Sequence, residues 1–517
     1  MRPQNIKTSD LDTLMKSIGA QAVASESAVQ VSGLALNTNS IHTGDLYLAL
    51  PGAKTHGAKY AQQAINHGAV AILTDKAGID ILQESKSEVA KVPWYVIDDP
   101  RAALAQLATQ LYGTDQKTPQ MFGLTGTNGK TTTSYFIRSL LAALGHKTGL
   151  IGTIEILAGD EPIPSVLTTP EAHDVHGILS VMNEKDITAT VMEVSSHALE
   201  FNRVDGIMYD VVGFTNLTQD HLDLHGTMEE YFERKAKLFT KQHAKRGVVI
   251  VDDHWGKKLA AQADIDVVTL SITASDAIWH VSECHRNGVG HVFTLTHQDG
   301  TELEVKVGIP GMFNVANAAL ATVMIYESGV DVNRLQSALD HKQPFSTDVP
   351  GRMQVIAHKP ASIVDFAHNP NAMVLAMDAV RPQDEDGKLI IVFGATGERD
   401  TTKREDMGRI AVEGADIVII TDDDPHGEPA APIRDQLVAG AVKAAQEKPE
   451  VEILNIAPRE KAIKKAVKLA RNKDTILVAG RGHETVQEVM GEDIQLDDRE
   501  ILSTALNKRF KKADRIK

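Results

Sequence analysis

The 517-residue chain reads as an α/β protein of three domains, and three observations lead there. Short β-rich apolar runs alternate with stretches of helical periodicity, the pattern of mostly parallel sheets covered by helices. The length exceeds what one hydrophobic core fills, at roughly 150 residues per domain. Each cluster of unusual polar residues begins where a predicted strand ends, and open parallel sheets bind ligands outside the carboxyl ends of their strands.

Taken in order, the first region (1–105) predicts a strand over 45–50, stopped by Pro51-Gly52. A helix carrying Tyr60, Ala61, Ala64 and Ile65 follows, then a strand over 69–73. The second region (106–345) opens with a strand over 121–125 and a glycine-rich turn. Its next helix holds Ile137, Leu140, Leu141 and Leu144 at helical spacing and stops at Gly145. Strands are predicted over 190–192 and 211–214, and an alanine-rich helix over 316–326 follows Gly311-Met312-Phe313-Asn314. The third region (346–517) begins near Pro350-Gly351-Arg352 and predicts strands over 362–364, 389–393, 417–420 and 476–479, with helical patterns between them. The polar clusters are Thr125-Gly126, Glu193-Val194-Ser195-Ser196-His197, Thr215-Asn216, Asp365-Phe366-Ala367-His368, Gly394-Ala395-Thr396-Gly397 and Gly480-Arg481-Gly482-His483-Glu484.

Composition narrows the function classes. Hydrophobic residues make up 42% and charged residues 24%, as in soluble globular proteins. The formal net charge of -16 works against non-specific nucleic-acid binding. The single cysteine, Cys284, makes no internal disulfide and fits a reducing compartment. Met1-Arg2-Pro3-Gln4-Asn5 lacks the apolar run of a secretory signal, and no stretch approaches the about 18 apolar residues of a membrane span. A cytoplasmic location and no membrane span are expected.

Gly123-Leu124-Thr125-Gly126-Thr127-Asn128-Gly129-Lys130-Thr131-Thr132 lies between a predicted strand and a helix. Its glycines let backbone N–H groups turn toward phosphate oxygens, and the helix N-terminus adds favourable partial charge. Lys130 suits the β- and γ-phosphates of a nucleotide, and the Thr131 hydroxyl suits magnesium. Leu124 stands where the longer form of this loop has glycine, so the loop is the short Gly-x-x-Gly-Lys-Thr variant.

Further on, residues 229–239 predict a helix whose apolar stripe of Tyr231, Phe232, Leu238 and Phe239 is interrupted by Lys235. Burial would depress the pKa of that amine; periodicity alone leaves open a lysine whose stem packs while its head reaches water. Upstream, Asp220, His221, Asp223 and His225 crowd one loop, a set suited to a hard divalent cation bridging phosphates, with a solvated polar turn as the plain alternative.

On these residues the chain resembles the Mur ligase family over nearly its whole length, in the branch that adds the third residue to UDP-MurNAc-L-Ala-D-Glu. The resemblance rests on the phosphate loop, Leu167-Thr168-Thr169-Pro170, Glu193-Val194-Ser195-Ser196-His197-Ala198-Leu199, Asp220-His221-Leu222-Asp223, Tyr231-Phe232-Glu233-Arg234-Lys235, Gly311-Met312-Phe313-Asn314, Asp365-Phe366-Ala367-His368 and Gly480-Arg481-Gly482-His483-Glu484. It implies an N-terminal UDP-binding domain, a central P-loop ATPase domain and a C-terminal Rossmann-like domain for the incoming amino acid, with ATP and Mg2+ as cofactors and a monomeric state.

Position by position, it implies that Leu36, Thr38, Ala53, Lys54 and Thr55 meet the UDP end, with Asn37-Thr38-Asn39 where many relatives carry Asp-Ser-Arg. Thr168, Thr169, Ser195 and Arg203 meet the muramyl dipeptide, and Phe201 stands at a frequent glutamine position. Gly126, Thr127, Asn128, Gly129, Lys130, Thr131, Thr132, Asn314, Arg352 and Asp365 form the ATP site, with Lys403 a weaker phosphate candidate. Glu193 and His221 join Thr131 as magnesium ligands, and Lys235 as a carbamate holds a second magnesium. Lys130, Lys235, His221 and Glu193 are the catalytic set.

Arg399 matches the arginine that holds the amino acid's α-carboxylate, and Gly480 and Glu484 match further contacts. Where diaminopimelate-adding relatives carry Asp-Asn-Pro-Arg, this chain has Asp423-Asp424-Pro425-His426. His426 cannot reproduce an arginine's bidentate grip on a second carboxylate, and two aspartates suit an ammonium. L-lysine is the expected substrate, with L-ornithine or meso-diaminopimelate as alternatives. His197 and His368 are candidates for removing the amine proton, but a hydrogen-bonded structural role is favoured for each. The rivals are a folylpolyglutamate-synthetase-like ligase or one adding another peptidoglycan residue, a plain P-loop ATPase, and a non-catalytic paralogue that binds nucleotide and UDP-muramyl peptide. Intact Lys130, Thr131, Glu193, His221 and Lys235 argue against the last.

Overall fold

The computed structural model describes the chain except for residues 1, 6, 25–27, 53–54, 85–91, 164–166, 220–224 and 511–517. The chain forms two compact units, one of residues 1–280 with 320–335 and one of 281–319 with 336–517.

The first unit contains two main sheets, besides a two-stranded pairing of Ser9–Asp10 with Gln30–Val31. The smaller runs Gln21–Ala24, Trp94–Val96, Ala71–Thr74, Asp45–Ala49, Gly33–Ala35, and only its first strand is antiparallel. Helix Pro100–Tyr112 starts where the Asp99 carboxylate accepts from the Arg101 and Ala102 N–H groups, and ends at Gly113 with φ 66°. It packs Leu104, Leu107, Ala108 and Leu111 into the same cluster as Leu46 and Leu48.

The larger sheet runs Thr148–Ile151, Ala189–Glu193, Gln120–Thr125, Tyr209–Phe214, Ala244–Ile250, Asp266–Ser271, all parallel. An antiparallel ribbon of Ile156–Ala158 and Glu161–Ile163 extends its Thr148 edge. The predicted lysine-bearing helix over 229–239 divides in two. An α-helix covers Met228–Ala236, started by a reciprocal cap between Thr227 and Glu230, and a single 3-10 turn covers Lys237–Phe239.

In the second unit, six strands run Gln354–His358, Ala361–Asp365, Thr475–Ala479, Leu389–Phe393, Ile417–Ile420, Glu452–Asn455, parallel except for the first. The continuous apolar runs have a simple cause. Leu389, Ile391 and Phe393 join one hydrophobic cluster while Ile390 and Val392 join another, so helices cover both faces and alternation disappears.

Two hairpins, Gly290–His297 with Glu302–Val307 and Val486–Val489 with Glu492–Gln495, are antiparallel and fall outside the predicted elements. Along Glu302–Val307 exposed and buried residues alternate at first, so no continuous apolar run marks it.

The predicted relation of polar clusters to strand ends holds at all six places. Thr125, Glu193 and Asp365 are last residues of strands, and Thr215, Gly394 and Gly480 directly follow one. No helix among the described residues is long and apolar enough to cross a membrane.

Candidate active site

The phosphate loop is held by the end of the neighbouring strand. Gly126 has φ 140°, and a Cβ there would come 1.9 Å from Thr215 Oγ1, so glycine is required on both conformational and steric grounds. The Thr127 N–H donates to Asn216 O (2.9 Å) and the Asn128 N–H to Asn216 Oδ1 (3.0 Å), while the Thr215 hydroxyl donates to Asn128 O (2.7 Å). Gly129, with φ 89°, leads into helix Lys130–Ala143. Lys130 Nζ donates to Gly126 O (3.0 Å) and Thr127 O (2.9 Å), which folds the side chain back over its own loop. Thr132 is buried in the helix's first turn.

Glu193 is fully buried at the end of its strand. Its carboxylate accepts from Thr131 Oγ1 (2.9 Å), the Thr153 N–H (3.0 Å) and Thr153 Oγ1 (2.9 Å), with Ser134 Oγ, which donates to Thr131 O (2.8 Å), 3.5 Å away. Every one of these donors is neutral, and among the described residues Glu193 joins no ion pair. Buried negative charge met only by dipoles, beside a hydroxyl at a phosphate loop, is an oxygen-ligand arrangement that fits a hard divalent cation.

The residues expected to meet the dipeptide gather around the same carboxylate. Thr168 Oγ1 lies 3.2 Å from Thr153 Oγ1, and Thr169 Oγ1 donates to Glu193 O (2.8 Å). The Ser195 N–H donates to Thr169 Oγ1 (3.2 Å), and Ser195 Oγ caps the next short helix by accepting from the Ala198 N–H (3.1 Å). Arg203 reaches Thr169 O (3.2 Å) and Glu171 (2.8 Å), and Arg101 reaches the same Glu171 (3.0 Å). Phe201, at the frequent glutamine position, lies 5.7 Å from each guanidinium.

Lys235 is 2% exposed, so the solvated-lysine alternative does not hold. Its Nζ donates to Gly126 O (2.9 Å) and lies 4.6 Å from the centre of the Tyr231 ring, which stacks on His225 (5.0 Å). The amine therefore touches the phosphate loop itself. His221 lies outside the described residues, as do Ala53 and Lys54. In the smaller sheet's domain, Thr38 is buried and His67 Nδ1 lies 2.6 Å from its carbonyl, while Leu36 and Thr55 are half-buried.

Within the second unit, Asn314 is buried and its amide donates to Pro310 O (2.7 Å). Asp365 accepts from the Met353 N–H (2.7 Å) and the Ala367 N–H (2.9 Å), and burial raises its pKa against those bonds and nearby Arg352. The Arg352 guanidinium sits 4.0 Å from the Phe366 ring centre, and Lys403 Nζ donates to His368 O (3.1 Å). Arg399 is exposed.

The loop that follows strand Ile417–Ile420 sets its two aspartates beside buried arginines. Arg481, fully buried, stands 2.9 Å from Asp424. Arg459, also fully buried, holds Asp498 bidentately (2.8 and 2.7 Å) and lies 3.8 Å from Asp423. Arg481 thus pairs with Asp424, while Asp423 shares Arg459 with Asp498 at longer range. Gly480 has φ 113°, and a Cβ there would come 2.4 Å from Asp423 Oδ2. Burial first, then Asp423 and Asp424, push the Glu484 carboxyl up to about 7 against Arg481 and Arg352. His426 pairs through Nδ1 with Glu488 at 2.8 Å, and Pro425 precedes it in the same loop. A cavity of about 540 Å³ in this unit lies at the other end of the strands, lined by His358, Ala361 and Thr475, and holds none of the predicted residues.

Thr153, Ser134, Glu171, Asn216, Arg459 and Glu488 had no predicted role. Only Asn216 carried a signal, its place in a polar cluster at a strand end. The others reach the site across 32 to 62 residues of chain, as between Arg203 and Glu171 or His426 and Glu488.

Comparison with known proteins gives the chain's family. The family model "Mur ligase family, catalytic domain" matches residues 30–112, "Mur ligase middle domain" matches 124–325, and "Mur ligase, glutamate ligase domain" matches 351–482. A UDP-N-acetylmuramyl-tripeptide synthetase of Leifsonia xyli is 40% identical over 509 residues, covering 98% of this chain and 97% of the relative. A UDP-N-acetylmuramoyl-L-alanyl-D-glutamate--2,6-diaminopimelate ligase of Streptomyces coelicolor is also 40% identical, covering 98% of each chain. A solved structure of a ligase of the latter name superposes with a TM-score of 0.67 at 27% identity, covering 97% of this chain and 99% of that one. The chain belongs to the Mur ligase family.

Proposed function

We propose that this Mur ligase joins L-lysine to the D-glutamate of UDP-MurNAc-L-Ala-D-Glu, using ATP to form an acyl phosphate, as a step of peptidoglycan precursor synthesis. That it adds an amino acid to a UDP-muramyl dipeptide follows from its family and from the names its relatives carry. The choice of lysine rests on one observation: the position where an arginine would grip a second carboxylate carries His426, and its ring is already paired with Glu488.

A carboxylate does not condense with an amine in neutral water, because its oxygen is a poor leaving group; phosphorylation supplies a better one. In this reading the phosphate-loop N–H groups and Lys130 hold the nucleotide's phosphates, and Lys130 exchanges its bonds to Gly126 O and Thr127 O for phosphate oxygens. Glu193 and the Thr131 hydroxyl, with His221, would hold Mg2+, which when bound offsets negative charge on the phosphates. Lys235 touches Gly126 O, so a carbamate on its Nζ would stand beside the phosphate loop and hold a second Mg2+. Thr168, Thr169, Ser195 and Arg203 orient the dipeptide, and Leu36, Thr38, Ala53, Lys54 and Thr55 its UDP end. Asn314, Arg352 and Asp365 meet the adenosine, and Arg399, Gly480 and Glu484 the amino acid.

The second reading is the same reaction with meso-diaminopimelate, favoured by the name of the Streptomyces coelicolor relative. Phosphate release with UDP-MurNAc-L-Ala-D-Glu, ATP and Mg2+, with L-lysine, L-ornithine or meso-diaminopimelate added in parallel, separates them. Turnover with lysine supports the first, and preference for diaminopimelate overturns it in favour of the second. Silence with all three overturns both and favours a binding paralogue.

A further inference from the structure

Four acids crowd the loop of residues 423–426 and its neighbours, and they are not equivalent. Asp423 is 5% exposed, accepts from the Asp424 N–H (2.9 Å) and faces the buried Arg459. Asp424 accepts from the Glu488 N–H (2.7 Å) on one oxygen and meets the buried Arg481 on the other. Glu484 also lies 3.8 Å from Arg481. Glu488 is different: its carboxylate is 45% exposed, and the partner it holds is the His426 ring, itself 24% exposed.

Glu488 also builds the loop. Besides its N–H to Asp424, its carbonyl accepts from the His426 N–H (3.1 Å), and the next hairpin residues close on His426 through the Met490 N–H to His426 O (2.7 Å). The backbone at His426 sits at φ 50°, a conformation that these bonds stabilise. One residue of the hairpin Val486–Val489 with Glu492–Gln495 therefore fixes where the imidazole stands and what charge stands next to it.

We propose that Glu488 is a specificity-determining residue of the amino-acid site, a role that rests on the ligase reading and on lysine as its substrate. Its carboxylate does two things. It holds His426 through Nδ1, which fixes the orientation of the imidazole beside the carboxylate. It also keeps negative charge beside the position where a diaminopimelate-type site would be positive, which attracts a side-chain ammonium and repels a carboxylate. Asp423 and Asp424, by contrast, stand beside the buried Arg459 and Arg481.

The test is steady-state kinetics of the full chain with lysine and meso-diaminopimelate, for the wild type, Glu488→Gln and Glu488→Asp. Glu488→Gln keeps a side-chain oxygen for His426 but removes the charge. The ratio of kcat/KM for lysine to that for diaminopimelate is expected to fall at least about tenfold, mainly through KM for lysine, with KM for the dipeptide unchanged. Glu488→Asp is expected to retain most of the preference. An unchanged ratio in a lysine-preferring wild type overturns the role of Glu488 and leaves the lysine reading standing. Parallel loss with both amino acids also overturns it, since that is what a purely structural residue would do. A wild type that prefers diaminopimelate overturns the lysine reading itself.

Discussion

Two buried acidic centres of this molecule are built on opposite electrostatic plans. In the first unit, Glu193 is fully buried and met by two hydroxyls and one N–H, all neutral. In the second, Asp498 is equally buried but bidentately paired with Arg459, and Asp423 and Asp424 face Arg459 and Arg481. A carboxylate held only by dipoles keeps its charge for a charged ligand; one paired with a buried guanidinium has given it to the fold. On the proposed function, the difference separates a residue placed for chemistry from residues placed for architecture, although all are buried acids.

Removing each charge breaks the comparison open. Glu193→Gln is expected to lower kcat by about 10² to 10³, the range for losing one preorganised electrostatic group, while the melting temperature stays level or rises. Kinetics and thermal unfolding of the same preparation check both halves; a large loss of stability would place Glu193 with the architectural acids. Asp498→Asn should do the reverse. Leaving Arg459 buried without its partner is expected to cost about 3–5 kcal/mol of stability, read from denaturant unfolding.

Finer changes sharpen the contrast. Thr153→Val removes one hydroxyl from Glu193 and leaves the neighbouring chain intact, so kcat is expected to fall about fivefold to tenfold, near 1 kcal/mol, with KM for the amino acid unmoved. The smallest effect concerns Glu484, whose carboxyl titrates near 7 because burial opposes its charge. Below that pH the group is neutral and attracts no ammonium; above it the group is ionised. KM for the amino acid is therefore expected to fall a few-fold as pH rises from about 6 to about 8. Glu484→Gln should flatten that limb, and an unchanged profile in the variant would assign the dependence to another group.

Much of the layout was legible from residues alone. Strand ends were readable because a run such as Leu389–Phe393, apolar on both faces, stops abruptly at Gly394. Lys235 was flagged because a charge in the middle of an apolar stripe at helical spacing is anomalous, and its 2% exposure bears that out. The hairpins escaped because their residues alternate between solvent and interior or lie in short strands, which no continuous run marks. The arginines beside the aspartates of the 423–426 loop were not legible, because Arg459 and Arg481 stand far along the chain and nothing in the local pattern announces the pairing.

The sequence by itself determined what local periodicity and turn chemistry control: the α/β class, the phosphate loop with its glycines, the helix that carries Lys235, and the polar clusters that end the strands. Only the tertiary structure decided which charges survive. Thr153 reaches Glu193 across 40 residues, Arg459 reaches Asp498 across 39, and Glu488 reaches His426 across 62. Backbone propensity acts between near neighbours in the chain, whereas Coulomb interaction and desolvation depend on distance and burial in the folded molecule.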